Sequence, residues 1–194
     1  MNNEHIQKAI TILNNGGIVI FPTDTAFAIS CRIDDKNVVK KLFNIRKRSE
    51  KKATPVLVDT VTMAQKYLEP IPKQVVDNLI EPYWPGALTI VLKCKTNVVP
   101  ELVRGKGETL GVRIPNHKIA RAIIRGVGEP LLGPSANFAG GQTPFMFEDL
   151  DKTLVNLVDY VVPGECTIKK PSTVIDCTVL PWKVLREGAV KINY

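Results

Sequence analysis

Residues 133–144 read GPSANFAGGQTP and follow a short apolar run at 130–132. Gly, Pro, Ser and Asn form turns, each for its own backbone reason. In α/β proteins the turn leaving a buried strand is where ligands usually bind. Ser135 and Asn137 would present a hydroxyl and an amide there. Taken alone, the stretch is a solvated turn with Asn as a helix cap. It gains chemical meaning only if other polar ends converge on it. Thr23, Asp24 and Thr25 are a second such end, following the apolar run GIVIF and Pro22. Arg46, Arg48, Arg113, Thr143, Ser172 and Arg186 complete the set of polar residues at expected element ends. Four guanidiniums among neutral hydroxyls suit a ligand carrying carboxylate or phosphate, which arginine binds bidentately.

Other chemistries are poorly supplied. No paired carboxylates of the glycosidase kind stand out, and there is no G-x-S-x-G elbow. The Walker loop and the Rossmann glycine fingerprint are missing from the sequence. His5 and His117 are the only histidines, too few for a triad and a metal cage alike. His117 sits at an expected helix start, where a capping or surface role suits it. Cys31, Cys94, Cys166 and Cys177 form no C-x-x-C pair, so reduced thiols are expected.

The elements that must position these residues follow from periodicity. Residues 6–13 have helical spacing, closed by Asn14 to Gly17. GIVIF is a strand buried on both faces. Asp34 or Asp35 caps a helix with Val38, Val39, Leu42 and Phe43 inward. Arg46 lies one turn beyond, where a guanidinium reaches a neighbouring crevice. Strands are expected at 55–58, 87–93, 109–114, 130–132, 160–162, 174–177 and 184–186. Helices are expected at 61–68, 73–79, from 115 onward, and at 147–157. Trp84 reads as packing, and residues 97–108 as a mobile loop. Alternating strands and helices predict an α/β fold around one twisted, mixed parallel and antiparallel sheet. The last two strands lack a helix between them, so they should be antiparallel.

With 194 residues, a single domain over 1–194 is expected, with a core needing no disulfide. No run is long enough to span a bilayer. The amino terminus lacks a secretory pattern, so a cytoplasmic location is expected. The net charge is +7. Residues 36–52 hold Lys36, Lys40, Lys41, Arg46, Lys47, Arg48, Lys51 and Lys52 against Glu50 alone. Such a field favours nucleic acid, nucleotides or other phosphates; a lysine-rich solvated helix face is the plainer account.

Seven stretches in order, GGIVIFPTDTAFAISC, NIRKRSEKKATPVLV, YWPGALTIVLK, TLGVRIPNH, PLLGPSANFAGGQTP, PSTVIDCT and VLREGAV, resemble the YrdC/Sua5 family of threonylcarbamoyl-adenylate synthases. The resemblance spans nearly the whole chain. It implies a YrdC-like α/β fold with a concave basic surface. It also implies an enzyme, a nucleotidyltransferase making threonylcarbamoyl-AMP and pyrophosphate from L-threonine, bicarbonate and ATP, with Mg²⁺. The product would serve N6-threonylcarbamoyladenosine modification of tRNA through a separate transferase complex. Residue by residue, it places threonine contacts at Thr23, Arg113, Ser135 and Ser172. Nucleotide contacts fall at Arg46, Arg48, Thr109, Asn137, Thr143 and Arg186, with Arg46 and Arg48 catalytic; no protein residue is assigned to a metal. The alternative is a divergent nucleotide-binding protein, or one binding tRNA or duplex RNA, without synthase activity. Arg46 stands where the family usually has lysine, and Ser49 where it has proline. Phe27, Ala28 and Ser30 replace a tyrosine and two glycines, and the added atoms at 28 and 30 are expected to narrow the pocket. The chain matches the catalytic-type domain and not the extra carboxyl-terminal domain of longer Sua5 forms.

Overall fold

The structure is a computed structural model and describes residues 3–192. Helix α1 (Asn3–Asn14) leads into strands β1 (Val19–Pro22) and β2 (Phe27–Ser30). Helix α2 (Lys36–Ile45), β3 (Val56–Leu57) and α3 (Val61–Gln65) follow. Next, α4 (Lys73–Val75) passes through a π-helical turn (Val76–Ile80) into α5 (Glu81–Tyr83). Then come β4 (Leu88–Lys93), β5 (Thr109–Arg113), α6 (Lys118–Val127) and β6 (Leu131–Leu132). A 3₁₀ turn (Phe147–Asp149), α7 (Lys152–Val155), β7 (Tyr160–Val161), β8 (Thr173–Asp176) and β9 (Lys183–Arg186) complete the order.

The strands form two hydrogen-bonded sheets rather than the one expected: β2-β1-β7 and β6-β3-β5-β4-β8-β9. Both are mixed: β1/β7, β3/β5 and β4/β8 pair parallel, the others antiparallel. The final pair β8/β9 is antiparallel, as its missing crossover required. Residues 130–144 stitch the sheets together along β2. Leu132 N donates to Cys31 O at 2.9 Å, Ile29 N to Pro134 O at 3.1 Å and Ala136 N to Phe27 O at 2.8 Å. Pro130, Pro134 and Pro144 have no N–H to give, so this edge stays a series of single bridges. The same prolines explain why one continuous sheet does not form. Strand β2 itself was not expected, because Ala, Ser and Thr around it blur the strand pattern.

One apolar core lies between α2, the six-stranded sheet and the α4–α5 region, built on Phe27, Phe43, Leu88 and Ile90. A second sits under α1 and α6, around Leu13, Phe21 and Ile123. Helix α2 shows why its charge pattern is amphipathic. Asp35 caps it, accepting from Asn37 N at 3.0 Å and Val38 N at 3.1 Å. Val39, Leu42 and Phe43 are buried while Lys36, Lys40 and Lys41 are exposed.

Two further expectations change. Residues 147–157 are not one helix: Asp149 caps the backbone of Phe145 and Met146, and Asp151 caps α7 separately. Each short acid side chain competes for local N–H groups and starts its own turn. Residues 97–108 are docked rather than free, since Val99 and Val103 are buried in the core. Trp84 is packed as expected, with Nε1 donating to Leu88 O at 2.8 Å. Among the described residues, no helix is long and apolar enough to cross a membrane.

Candidate functional site

The carboxyl end of α2 aims two of the arginines. The helix closes with Lys47 in the left-handed region (φ 53). Arg48 N then donates to Phe43 O at 2.9 Å and Lys47 N to Asn44 O at 3.0 Å, a Schellman closure with lysine where glycine is usual. The reversal leaves Arg46 and Arg48 lining one cleft. Arg46 is only 3% exposed. Its Nε donates to Asn137 O at 3.0 Å, and its Nη1 is buried without a hydrogen-bond partner among the described residues. Burial, with Arg48 adding repulsion, pushes its pKa down to about 10. Arg48 is anchored by backbone alone: Nη2 donates to Ala53 O at 2.6 Å and Nε to Lys52 O at 3.3 Å. Burial lowers its pKa too.

Across the cleft, β5 ends in Arg113, which is buried. It forms an ion pair with Asp24 and donates to Thr25 Oγ1 at 2.6 Å and Gly86 O at 2.9 Å. Burial pulls its pKa down, Asp24 opposing and Arg186 adding to the effect. Thr23 holds the turn after β1, donating to Ala26 O at 2.6 Å. Arg186, ending β9, reaches Ser172 O at 2.8 Å and Ser172 Oγ at 2.9 Å. Ser172 Oγ in turn meets Thr89 Oγ1 at 2.9 Å.

Of the expected residues, Thr23, Arg46, Arg48 and Arg113 line the cleft, as do Ser135, Thr143, Ser172 and Arg186. Its volume is about 180 Å³, below the roughly 300–1,000 Å³ of typical small-molecule sites. Two expected residues are not in the lining. Asn137 stands behind it, accepting from Ser135 Oγ at 2.6 Å and tethering Arg46 through its carbonyl. Thr109 is at the opposite end of β5, paired with Lys93; four residues of strand put it about 13 Å from Arg113 along the chain. Asp24 and Thr25 read only as part of the turn with Thr23, and Thr89, which also lines the cleft, does not read as a site residue at all. The hydroxyl of Thr89 within the apolar run ALTIVLK was the available signal.

A family model described as "Telomere recombination" and named for Sua5, YciO and YrdC matches residues 11–188. The chain belongs to the Sua5/YciO/YrdC family. It is 31% identical over 193 residues to the threonylcarbamoyl-AMP synthase of Bacillus subtilis, covering 97% of this chain and 55% of that one. It is equally 31% identical, over 188 residues, to the uncharacterized protein YciO of Escherichia coli, covering 94% of this chain and 88% of that one. The crystal structure of Pyrococcus abyssi Sua5 complexed with L-threonine superposes with a TM-score of 0.89 at 30% identity, covering 94% of this chain and 54% of that one. The chain thus spans about half the length of the Bacillus and Pyrococcus proteins.

The departures from the usual Sua5/YciO/YrdC pattern separate in space. Ala28 lines the cleft, as does Phe27. Ser30 does not narrow it: two residues along β2 puts it about 7 Å further on. There it is fully buried and donates to Leu132 O at 2.6 Å. Ser49 is exposed. Among the described residues, no group of three or more His, Cys, Asp or Glu could hold a metal. Asp24 beside the cleft already has one oxygen committed to Arg113.

Proposed function

We propose that this chain is an L-threonylcarbamoyladenylate synthase, forming threonylcarbamoyl-AMP and pyrophosphate from L-threonine, bicarbonate and ATP. The observation that carries the reading is Arg46, a buried guanidinium lining the cleft with an amino group that has no partner among the described residues. A buried charge without a counter-ion is unfavourable, and a phosphate relieves it. Arg48 beside it suits a polyphosphate. The hydroxyls of Thr23, Ser135 and Ser172, with Arg113 behind them, suit the carboxylate and hydroxyl of an amino acid. Asn137 acts by tethering Arg46, Thr143 and Arg186 contribute at the rim, and Thr109 has no direct part.

The chemistry needs no protein nucleophile. A carbamate oxygen of N-carboxythreonine attacks the α-phosphorus of ATP, and the bond to pyrophosphate breaks. Catalysis comes from positioning and from guanidinium stabilisation of the phosphoryl charge. Mg²⁺ enters as part of the ATP complex, because the cleft lacks a carboxylate set of its own. The product serves N6-threonylcarbamoyladenosine formation in tRNA, through a separate transferase complex, in the cytoplasm.

Incubation with ATP, bicarbonate and threonine tests this, with pyrophosphate and the adenylate measured together. Pyrophosphate release that is unchanged when threonine is left out sinks the proposal. The arginine at position 46, with YciO as similar to this chain as the Bacillus synthase is, favours a second reading: a protein that binds nucleotide or RNA without turnover. Tight, salt-steep binding of tRNA or duplex RNA with no adenylate formed supports that one.

A further inference from the structure

Residues 97–108 put no side chain into the cleft, yet they bear on one of its guanidiniums. The two carbonyls that receive Arg48, of Lys52 and Ala53, belong to a stretch outside any helix or strand. Thr54 N donates to Val103 O at 2.9 Å, and Val103 is fully buried. Gly105, at φ +58, lies directly against the same backbone. A Cβ there would stand 2.5 Å from Ala53 N and 2.9 Å from Lys51 O. Arg104 ties the turn to itself, donating to Val99 O at 3.3 Å and Gly107 O at 2.5 Å.

We propose that Val103 and Gly105 are positioning residues for Arg48, holding residues 51–54 where their carbonyls aim its guanidinium into the cleft. The inference deepens the reading of that cleft as an ATP site and rests on it. An added methyl at 105 must displace Ala53 or Lys51 backbone, and the Arg48 anchor moves with them. No flexible side chain lies between to absorb the shift.

Gly105→Ala tests this with two readouts. The first needs no ligand: the ¹⁵N–¹H correlation of the Arg48 Nε–H at pH 6, identified by its loss in Arg48→Lys. It shifts in Gly105→Ala and stays in place in Gly128→Ala. Gly128 has a comparable φ of +77 with nothing within 4 Å, so it carries the backbone strain without the contact. The second is ATP affinity by calorimetry. Gly105→Ala weakens it about tenfold, the scale of one charge-assisted hydrogen bond. The tenfold loss disappears in an Arg48→Lys background and persists in an Arg186→Lys background. An unmoved Arg48 signal, or the same loss of affinity in both backgrounds, overturns the proposal. Failure of the native chain to bind ATP counts against the proposed function, while the Arg48 signal still decides the role of Gly105. Should Gly105→Ala not fold, Val103→Ala gives the same two readouts: the carbonyl that receives Thr54 N stays, but loss of the buried side chain loosens the turn that holds it.

Discussion

On one wall of the cleft, Arg113 is paired with Asp24; Arg186 beside it is held by Ser172 and has no acid partner among the described residues. On the opposite wall, Arg46 and Arg48 are anchored by amide oxygens of Asn137, Lys52 and Ala53, with no carboxylate among their hydrogen-bond partners. The same side chain therefore does two jobs. A guanidinium neutralised by a buried acid is a strut, fixing neighbouring hydroxyls in direction. A guanidinium held only by dipoles keeps its full charge for whatever enters. The paired wall suits a zwitterion such as an amino acid, and the unpaired wall a polyanion.

The contrast is most exposed to Asp24→Ala. It leaves Arg113 buried and alone, and breaking a buried pair costs about 3–5 kcal/mol. Urea denaturation measures it. A loss below about 1 kcal/mol would mean that the pair is no strut and that the two walls do not differ in kind. Arg46→Met should behave oppositely. It removes a buried charge that has no counter-ion, so stability stays within about 1 kcal/mol of the native chain or rises. Threonine-dependent pyrophosphate release falls by about 10²–10³-fold, as for loss of a group stabilising transition-state charge. If Arg46→Met unfolds the protein as readily as Asp24→Ala, its guanidinium is structural.

The convergence of the two walls was only partly legible in the sequence. Residue types and element ends announced Ser135, Thr23 and the four arginines, because turn formers and charges are conspicuous after apolar runs. What stayed hidden was partnership. Asp24 and Thr25 sit in the same turn as Thr23, but their link to Arg113 spans 89 and 88 residues of chain. No local pattern carries such a pairing. Thr109 came from the resemblance alone, and it stands at the end of β5 away from Arg113; a strand has two ends, and no local pattern says which one faces a ligand. The docking of residues 97–108 was masked by polar composition, since Val99 and Val103 are anchors too sparse to make a period. The strand-and-helix order was legible because it rests on local hydrophobic spacing. The split into two sheets was not, because it depends on which edges the prolines of 130–144 leave unpaired.

Alkaline pH sharpens the comparison further. Cys166 is buried behind the paired wall, near Asp24 and Arg113. Burial pushes its thiol up to about 11, above the 9.0 of an unburied thiol, which the unfolded chain keeps. Between those values the folded state holds a proton that the unfolded state has released. Stability is therefore complete below pH 9 and declines as pH rises toward 11, by about 1–3 kcal/mol. Cys166→Ala should flatten that part of the decline. Cys177, pushed up to about 12 by burial, adds a similar slope. Urea midpoints across this range measure both, and a slope unchanged in Cys166→Ala removes the thiol from the account.

The smallest effect concerns the turn that aims the unpaired wall. Lys47 holds a left-handed conformation between Arg46 and Arg48, which costs a non-glycine residue about 1–2 kcal/mol. Its ammonium lies 5.3 Å from the centroid of the Phe138 ring, a contact worth about 0.5–1 kcal/mol when exposed. Lys47→Gly relieves the strain and loses the contact, and glycine also gains entropy in the unfolded chain. The net change is a stabilisation of about 0.5 kcal/mol or less, seen as a small rise in urea midpoint. If the lysine is there for the ligand, ATP affinity falls while stability rises, and Lys47→Ala loses affinity as well without gaining stability. Equal ATP affinity in all three chains would leave the turn's strain without a functional counterpart, and the unpaired wall would then consist of Arg46 and Arg48 alone.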